Sequence, residues 1–251
     1  MAGHSKWANI KHRKGKADAA RGKVFSKIGK DIMVAAGCGG GNVDDNITLR
    51  ALVQKAKSVS MPKENIDRAI KKGTGELEGG QLSEGSYEGY AAGGIAVVVK
   101  VLTDNKNRSA SEVRFCFTKA GSELSAQGSV SRVFQRKGQI LIEKDKTDED
   151  TLMELVLDAG AEDLKTEGDQ FEVITDPADF DVVSEAITNA GIDMAESEIT
   201  MIPDLVVEVT DLKQATSIMN FVDKLEELDD VQDVYTNFDI SDEIAAQLEA
   251  E

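Results

Sequence analysis

The chain has 251 residues, with 29 lysines and arginines against 46 aspartates and glutamates, so its formal net charge is −17. Hydrophobic residues make up 41% of it and aromatic residues only 5%, a composition that suits two or three domains with modest aliphatic cores. The longest apolar runs, such as residues 95–99, are far shorter than the roughly 20 residues that cross a bilayer, so a membrane span is excluded.

The N-terminus and the cysteines predict a cytoplasmic protein. The first residues are basic and no apolar stretch follows them, so a secretory signal is not expected. The two cysteines, Cys38 and Cys116, cannot build a disulfide framework and suit a reducing compartment.

Charge is segregated along the chain. Residues 1–73 contain 16 basic and 6 acidic residues, a net charge of +10, whereas residues 74–251 contain 13 basic and 40 acidic residues, a net charge of −27. A basic segment on an acidic chain is typical of proteins that bind nucleic acid or another anionic surface. Because the acidic part repels phosphate, we expect a polyanion to contact the basic part.

The first 73 residues predict a basic arm followed by a small helical bundle. Residues 4–16 are basic with little apolar periodicity, which favours an extended or weakly helical arm. A first helix is expected from Asp18, a second from about Asp45, and a third near Pro62, which suits a first helical turn. Three short amphipathic helices bury their apolar faces against one another.

Residues 73–85, GTGELEGGQLSEG, are rich in glycine and acidic residues and predict a linker between domains. Beyond it, strands alternate with helices, and residues 130–202 predict the order βαββαβ, which is the ferredoxin-like order. The segments on either side, 94–121 and 205–238, each lack enough strands for a sheet of their own. We therefore expect them to share one domain into which residues 130–202 are inserted.

The predicted fold class is multidomain α+β: an N-terminal three-helix bundle followed by two ferredoxin-like α+β domains, one inserted into the other. The predicted domains are the basic arm and bundle at 1–73, the split α+β domain at 74–129 and 203–240, the insert at 130–202, and a C-terminal tail at 241–251.

The arm and first helix are the strongest candidate site. Each lysine or arginine that neutralises a phosphate releases condensed counterions, and about six to ten such contacts give strongly salt-dependent binding. Trp7, the only tryptophan, is expected either to stack on an unpaired base or to cover the helical bundle. The predicted nucleic-acid-binding residues of this region are Lys6, Trp7, Lys11, Arg13, Lys14, Lys16, Arg21, Lys23 and Lys27.

A second candidate is the polar stretch 104–114, DNKNRSASEVR, which links a predicted strand to a predicted helix. Ser109 or Ser111 is expected to cap that helix. Polar loops on a rigid sheet often carry binding residues, so Asn107 and Arg108 are predicted to contact either an RNA backbone or a protein partner. A capped helix start explains the same residues equally well.

Motifs for other chemistry are missing from the sequence. His4 and His12 are the only histidines, and their spacing from Cys38 and Cys116 fits no zinc site. The glycine-rich stretch 37–42, GCGGGN, lacks the lysine of a phosphate-binding loop. Cys116 is expected to be a small buried residue of a helix. We expect no metal, no cofactor, no small-molecule substrate and no enzymatic activity.

Three stretches, taken together, resemble the signature segments of the YebC/PmpR family: AGHSKWANIKHRKGKADAARGKVFSKI, MPKENIDRAIKKGTGE and YEGYAAGGIAVVVKVLTDNKNRSASEVRFCFTKAG. The resemblance covers essentially the whole chain and implies a three-domain cytoplasmic regulator of gene expression. Members have customarily been called DNA-binding transcriptional regulators. Organellar relatives activate translation of cytochrome c oxidase subunit one, and bacterial relatives are linked to relief of ribosome stalling.

The sequence departs from the family pattern in the middle of the chain. The family usually has Gly-Pro where Ala91 and Ala92 stand, commonly a histidine at Phe115, and Gly-Gly-Asn-Leu-Gly where residues 121–126 read GSELSA. These departures concern the predicted middle domain and leave the basic N-terminal region unchanged.

The sequence therefore predicts a non-enzymatic regulator that binds nucleic acid through its basic N-terminal region. Its partner is expected to be DNA or RNA, with the ribosome as a further candidate and no membrane partner. The family's customary label favours regulation of transcription by DNA binding. A basic arm on an acidic body also resembles a ribosome-associated factor, which favours regulation of translation, and charge alone leaves both open.

Overall fold

The structure is a computed structural model that describes residues 19–78 and 82–250. Within these residues the chain forms eight α-helices and ten strands, and the predicted mixed α+β fold class is confirmed. The chain divides into two compact units, one made by residues 132–206 and the other by the described residues before and after them. The exact boundaries predicted for the domains stay a prediction.

The elements follow in chain order. They are α1 (Ala19–Gly39), α2 (Ile47–Ser58), α3 (Lys63–Gly73), β1 (Ser83–Ala91), β2 (Ile95–Thr103), α4 (Lys106–Lys119), β3 (Glu123–Ser125), a short 3-10 turn (Ser131–Val133), β4 (Phe134–Glu143), α5 (Glu149–Asp158), β5 (Asp163–Glu167), β6 (Gln170–Thr175), α6 (Phe180–Asn189), β7 (Glu196–Pro203), β8 (Val207–Val209), α7 (Leu212–Glu226), β9 (Val231–Thr236), β10 (Phe238–Ile240) and α8 (Asp242–Ala250).

The first three helices pack as a bundle because each carries one apolar face. The side chain of Asn46 caps α2 by accepting the N–H of Leu49 at 3.0 Å, and its amide donates to the carbonyl of Gly40 just after α1. Where α3 crosses α1, a Cβ at Gly73 would lie 2.2 Å from the carbonyl oxygen of Met33, so only glycine fits. The buried core of the bundle includes Ile28, Ile32, Leu49, Val53 and Ile66.

The four-stranded sheet of the same unit joins distant parts of the chain. Its strand order is β3-β1-β2-β9, and β2 pairs antiparallel with β9 from Val97 opposite Thr236 to Val101 opposite Val231. Helices α4 and α7 pack together, with the rings of Phe117 and Phe221 edge to face at 4.9 Å. Strand β8 does not enter this sheet, because it pairs in parallel with β10 instead.

Strand β1 lies partly where the sequence predicted a linker. It pairs with β2 along its whole length and with β3 at its end, so it lies inside the sheet rather than at its edge. Its glycine at position 89 is required by packing, since a Cβ there would lie 2.5 Å from the Phe117 ring and from the carbonyl oxygen of Glu123. The residues predicted as a C-terminal tail include helix α8.

The inserted unit has the predicted ferredoxin-like element order. Its antiparallel sheet has the order β5-β6-β4-β7. Helices α5 and α6 pack on the sheet through a core of Ile140, Ile142, Leu152, Val156, Phe171, Val173, Val183 and Ile187.

Candidate nucleic-acid interface

Helix α1 presents three lysines on one face, at intervals of four and three residues. We call Lys23, Lys27 and Lys30 the lysine row. All three ammonium groups donate hydrogen bonds to the segment 227–232, which consists of the connection from α7 to β9 and the first two residues of β9. The contacts are Lys23 Nζ to the Glu227 carbonyl at 3.0 Å, Lys27 Nζ to the Gln232 carbonyl at 2.8 Å, and Lys30 Nζ to the Asp229 carbonyl at 2.8 Å.

The carboxylate of Asp230 connects four elements of this unit. Its Oδ1 accepts from Lys30 Nζ of α1 at 3.0 Å. Its Oδ2 accepts from the Thr103 hydroxyl at 2.9 Å, the Ser109 hydroxyl at 2.7 Å, and Arg108 Nη2 at 2.6 Å. One buried side chain therefore ties the helical bundle to the end of β2, the start of α4 and the α7–β9 connection.

Asp230 stays ionised although it is buried. Its side chain is only 4% exposed, and burial alone would raise its pKa. Hydrogen bonds from Arg108, Ser109, Lys30 and Thr103 outweigh this effect and hold the pKa of Asp230 well below its usual range. The same carboxylate raises the pKa of the Arg108 guanidinium. The site is therefore a fixed charge cluster rather than a proton-transfer site at neutral pH.

The predicted cap of α4 is wrong. Asn105, not Ser109 or Ser111, caps the helix, because its side chain accepts the N–H of Arg108 at 3.1 Å. Both serines lie inside the helix, where the Ser111 hydroxyl donates to the carbonyl of Asn107 at 2.8 Å. The helix begins at Lys106, before both serines, and this places Ser109 where it reaches Asp230.

Arg108 lies in a cleft of about 490 Å³. Its guanidinium also donates to Asp104 at 2.9 Å, while Asn107 is exposed beside it. The cleft is lined by two cations, Lys30 and Arg108, and by five carboxylates, so it carries net negative charge and disfavours a phosphate. Arg108 is an internal ion-pair partner in this structure, and the contact of Asn107 and Arg108 with nucleic acid stays a prediction.

Exposed cations lie on α2 and α3, outside the predicted site. In the described part of the chain, Lys57, Lys63, Arg68 and Lys71 are exposed and form no ion pair with another described residue. Arg68 and Lys71 are three residues apart and share one face of α3. These cations are part of the net charge of +10 in residues 1–73. The site prediction did not include them, because the arm has a denser run of basic residues.

Most of the predicted arm residues lie outside the described residues. These are Lys6, Trp7, Lys11, Arg13, Lys14 and Lys16. Arg21 lies on α1, and Lys23 and Lys27 belong to the lysine row. The structure therefore brings together Lys23 and Lys27 on one helix face, in contact with the 227–232 segment, and it places Asn107 and Arg108 at the start of α4.

A mostly apolar groove of about 470 Å³ lies beside the lysine row. It is lined by residues of α1, α2 and the sheet, including Asp31, Cys38 and Glu84. Burial raises the pKa of Asp31 to about 6, and the negative charge of Asp233 adds to the rise. The side-chain amide of Gln232 donates to Asp31 Oδ1 at 3.3 Å. The junction between α1 and β9 therefore holds one carboxylate that resists ionisation.

The described ranges contain neither a metal-binding cluster nor a membrane-spanning helix. Among residues 19–78 and 82–250, no three histidine, cysteine or acidic side chains are grouped so that they could hold a metal ion. In the same ranges, no helix combines the length and apolar character of a membrane span. Cys116 is buried, as predicted, and Cys38 is exposed.

Comparison with known proteins gives full-length matches. The model of the TACO1/YebC protein N-terminal domain matches residues 5–76, and that of the TACO1/YebC second and third domain matches residues 82–238. The chain is 55% identical to a protein of Syntrophobacter fumaroxidans and 53% identical to one of Desulforapulum autotrophicum. Each alignment covers 97% of this chain and 98% of the relative, and both relatives are named probable transcriptional regulatory protein.

A solved structure shares the whole fold. It is the crystal structure of a conserved hypothetical protein from Aquifex aeolicus, which is 46% identical to this chain and superposes with a TM-score of 0.84. The match covers 96% of this chain and 99% of the other.

Proposed function

Because this chain belongs to the TACO1/YebC family, we propose that it is a non-enzymatic regulator of gene expression that acts on transcription by binding DNA through its basic N-terminal region. The observation that carries the proposal is that relatives 53% and 55% identical over nearly the full chain are named probable transcriptional regulatory proteins. The family model for the N-terminal domain spans the region that carries the concentrated positive charge.

The charge distribution supports a nucleic-acid partner. The exposed cations of α2 and α3 add to the basic residues that precede α1, and together they form a source of phosphate contacts without base recognition. The inserted unit, residues 132–206, has 6 basic and 20 acidic residues, a net charge of −14. Its field repels a polyanion, so a bound duplex is restricted to the basic region.

A salt titration tests the basic arm as the anchor. Replacing Lys11, Arg13 and Lys14 together with alanine should flatten the log–log dependence of DNA affinity on salt by roughly 2 to 3, since three phosphate contacts are lost. The matched control replaces three lysines of the inserted unit, Lys144, Lys146 and Lys165, and removes the same total charge. Equal slopes for the two triple variants would place the binding surface elsewhere.

Crosslinking in cells, followed by sequencing of both bound DNA and bound RNA, tests the choice of DNA. Enrichment of promoter-proximal DNA is the expected result. Recovery of ribosomal RNA without enrichment of DNA would contradict the transcriptional assignment and would favour a translation factor.

A further inference from the structure

The segment bound to the lysine row is acidic and, with the last residue of α7 included, spans residues 226–232. Residues 226–230 read EELDD, with four carboxylates in five positions. Among the described residues, the three ammonium groups of the row contact at least five oxygen atoms, and four of these belong to the segment 227–232. The five oxygens are the carbonyls of Leu102, Glu227, Asp229 and Gln232 and the Oδ1 of Asp230.

This arrangement resembles the way lysines bind a nucleic-acid backbone. A seven-residue interval on a helix spans about 10 Å at 1.5 Å per residue, which is the axial length of about three nucleotides at 3.4 Å each. Phosphate oxygens, carbonyls and carboxylates are all acceptors for an ammonium group, and each ammonium offers three donors. The row is therefore a surface for a series of acceptor oxygens, occupied here by four backbone carbonyls and one carboxylate of the protein itself.

We propose that the lysine row is a second binding surface for nucleic-acid backbone, and that the segment 226–232 occupies it until nucleic acid competes for the same ammonium groups. This inference rests on the proposed function, because it requires that the chain binds nucleic acid. The sequence prediction treated Lys23 and Lys27 as always available to nucleic acid. In this proposal they become available only when their hydrogen bonds to the protein break.

The contacts are graded along the row. The hydrogen bond of Lys23 is exposed to solvent, whereas that of Lys27 and two of the three made by Lys30 are partly buried. Exposed pairs contribute little and are screened by salt, so the exchange starts at Lys23. When Lys30 leaves, Asp230 keeps its bonds to Arg108, Thr103 and Ser109. The segment therefore remains attached to the sheet while the helix row becomes available.

Charge repulsion at Asp31 also favours release of the lysine row, because it weakens the contact between α1 and β9. Asp31 directly follows Lys30 in sequence. Its carboxylate faces the negative charges of Asp233 and Glu84, with the positive charges of Lys55 and Lys27 opposing them. At neutral pH, the like charges of Asp31 and Asp233 repel each other across the contact between α1 and β9. The contact between the lysine row and the segment 226–232 is therefore less stable than it would be without this repulsion.

Hydrogen exchange measured by mass spectrometry tests the competition on the full chain. The probe is a 20-base-pair DNA duplex of mixed sequence, added to saturation at low salt. We expect the amides of residues 226–232 to exchange faster in the complex, while the amides of α5 in the acidic insert do not change. Slower or unchanged exchange at 226–232 would overturn the proposal.

A charge-matched pair of variants gives an independent readout. Glu227→Gln with Asp229→Asn removes two exposed charges beside the lysine row and leaves the accepting carbonyls in place. Glu154→Gln with Asp158→Asn removes two charges from α5. We expect the first variant to bind the duplex roughly two- to fivefold more tightly than the second, the range for one weakened exposed ion-pair interaction.

The outcomes separate this inference from the proposed function. If the two variants bind the duplex equally and more tightly than the wild-type chain, a general charge effect explains the gain and the competition is wrong. If the wild-type chain binds neither the duplex nor a single-stranded RNA of equal length at any salt concentration, the proposed function is wrong, and the competition fails with it.

Discussion

Replacing Asp230 with asparagine removes the charge that joins the helical bundle to the sheet. The substitution keeps the shape of the side chain, so the loss is electrostatic rather than a cavity. Lys30 and Arg108 each lose a charged partner, and the hydroxyls of Thr103 and Ser109 compete for a weaker acceptor. We expect the bundle to become less firmly held and the unit to become less stable.

The magnitude follows from the exposure of each partner. Arg108 is 43% exposed and Lys30 17% exposed, so the Arg108 pair is screened by solvent and adds little. The Lys30 pair and the two hydroxyl bonds are more buried, and bonds to a charged acceptor contribute about 1.5 to 3 kcal/mol each in such sites. Because asparagine retains one acceptor oxygen, we expect a loss of about 2 to 4 kcal/mol.

Native-state hydrogen exchange measures this loss within the unit, since a chain with two compact units is not expected to unfold in one step. Asp229→Asn is the control, because that neighbouring carboxylate is exposed and only its backbone carbonyl is used by Lys30. The wild-type stabilisation should be full above the unfolded pKa of about 4 and disappear as pH falls through the lower folded pKa. Equal protection in the two variants at pH 7 would refute the reasoning.

Three further predictions concern stability. Asp31→Asn should raise the free energy of unfolding by about 1 to 3 kcal/mol at pH 7.5. Because the pKa of Asp31 in the folded chain is raised to about 6, the cost of its charge to the stability of the wild type is full above pH 6 and fades towards pH 4. Denaturation measured against pH should show that dependence only in the wild type. Gly73→Ala should cost about 1 to 3 kcal/mol through the clash with α1, whereas Gly22→Ala, which meets no neighbouring atom, should leave the melting temperature unchanged or raised. Glu88→Gln should cost about 1 to 3 kcal/mol of stability in thermal melts. Burial alone would raise the pKa of Glu88, but hydrogen bonds from the N–H groups of residues 128, 131 and 130 outweigh burial and lower that pKa. Glu123→Gln, on the exposed edge strand β3, is the control.

The helices and the inserted unit were predictable because their signals are local. The apolar periodicity of α1, α2 and α3 spans complete turns, and in the insert each helix lies between short segments with strand character. Asp148, the cap of α5, stands directly before its helix and accepts the N–H of Thr151. These features require no knowledge of distant residues.

Strand β1 was missed because its sequence lacks a strand signal. It contains two glycines and two glutamates in nine residues, and such residues are depleted in strands. What makes it a strand is tertiary: Gly89 admits the Phe117 ring, and the carboxylate of Glu88 accepts three backbone N–H groups from residues 128–131. Neither partner is visible within a short sequence window.

The role of the lysine row was also beyond sequence reasoning. Lys23 and Lys27 were predicted from charge density alone, which counts every lysine as available. Their partners lie more than 200 positions away in the chain, and the accepting groups are mainly backbone carbonyls, which have no sequence signature. Arg50 is a similar case, because its guanidinium donates to the carbonyls of Val43 and Asp44 in the turn before α2.

The charge that attracts a polyanion therefore differs from the charge counted in the sequence. In the docked arrangement, the three cations of the lysine row have anionic or carbonyl oxygens as neighbours, so they add little to counterion release when a duplex binds elsewhere on the bundle. If the duplex displaces the segment 226–232, each released lysine adds about 0.9 to the magnitude of the log–log salt slope. The slope of the wild-type chain should then exceed that of a Lys23→Gln, Lys27→Gln variant by about 1.8. An identical slope would mean that the row remains bound to the body while nucleic acid is held by other cations alone.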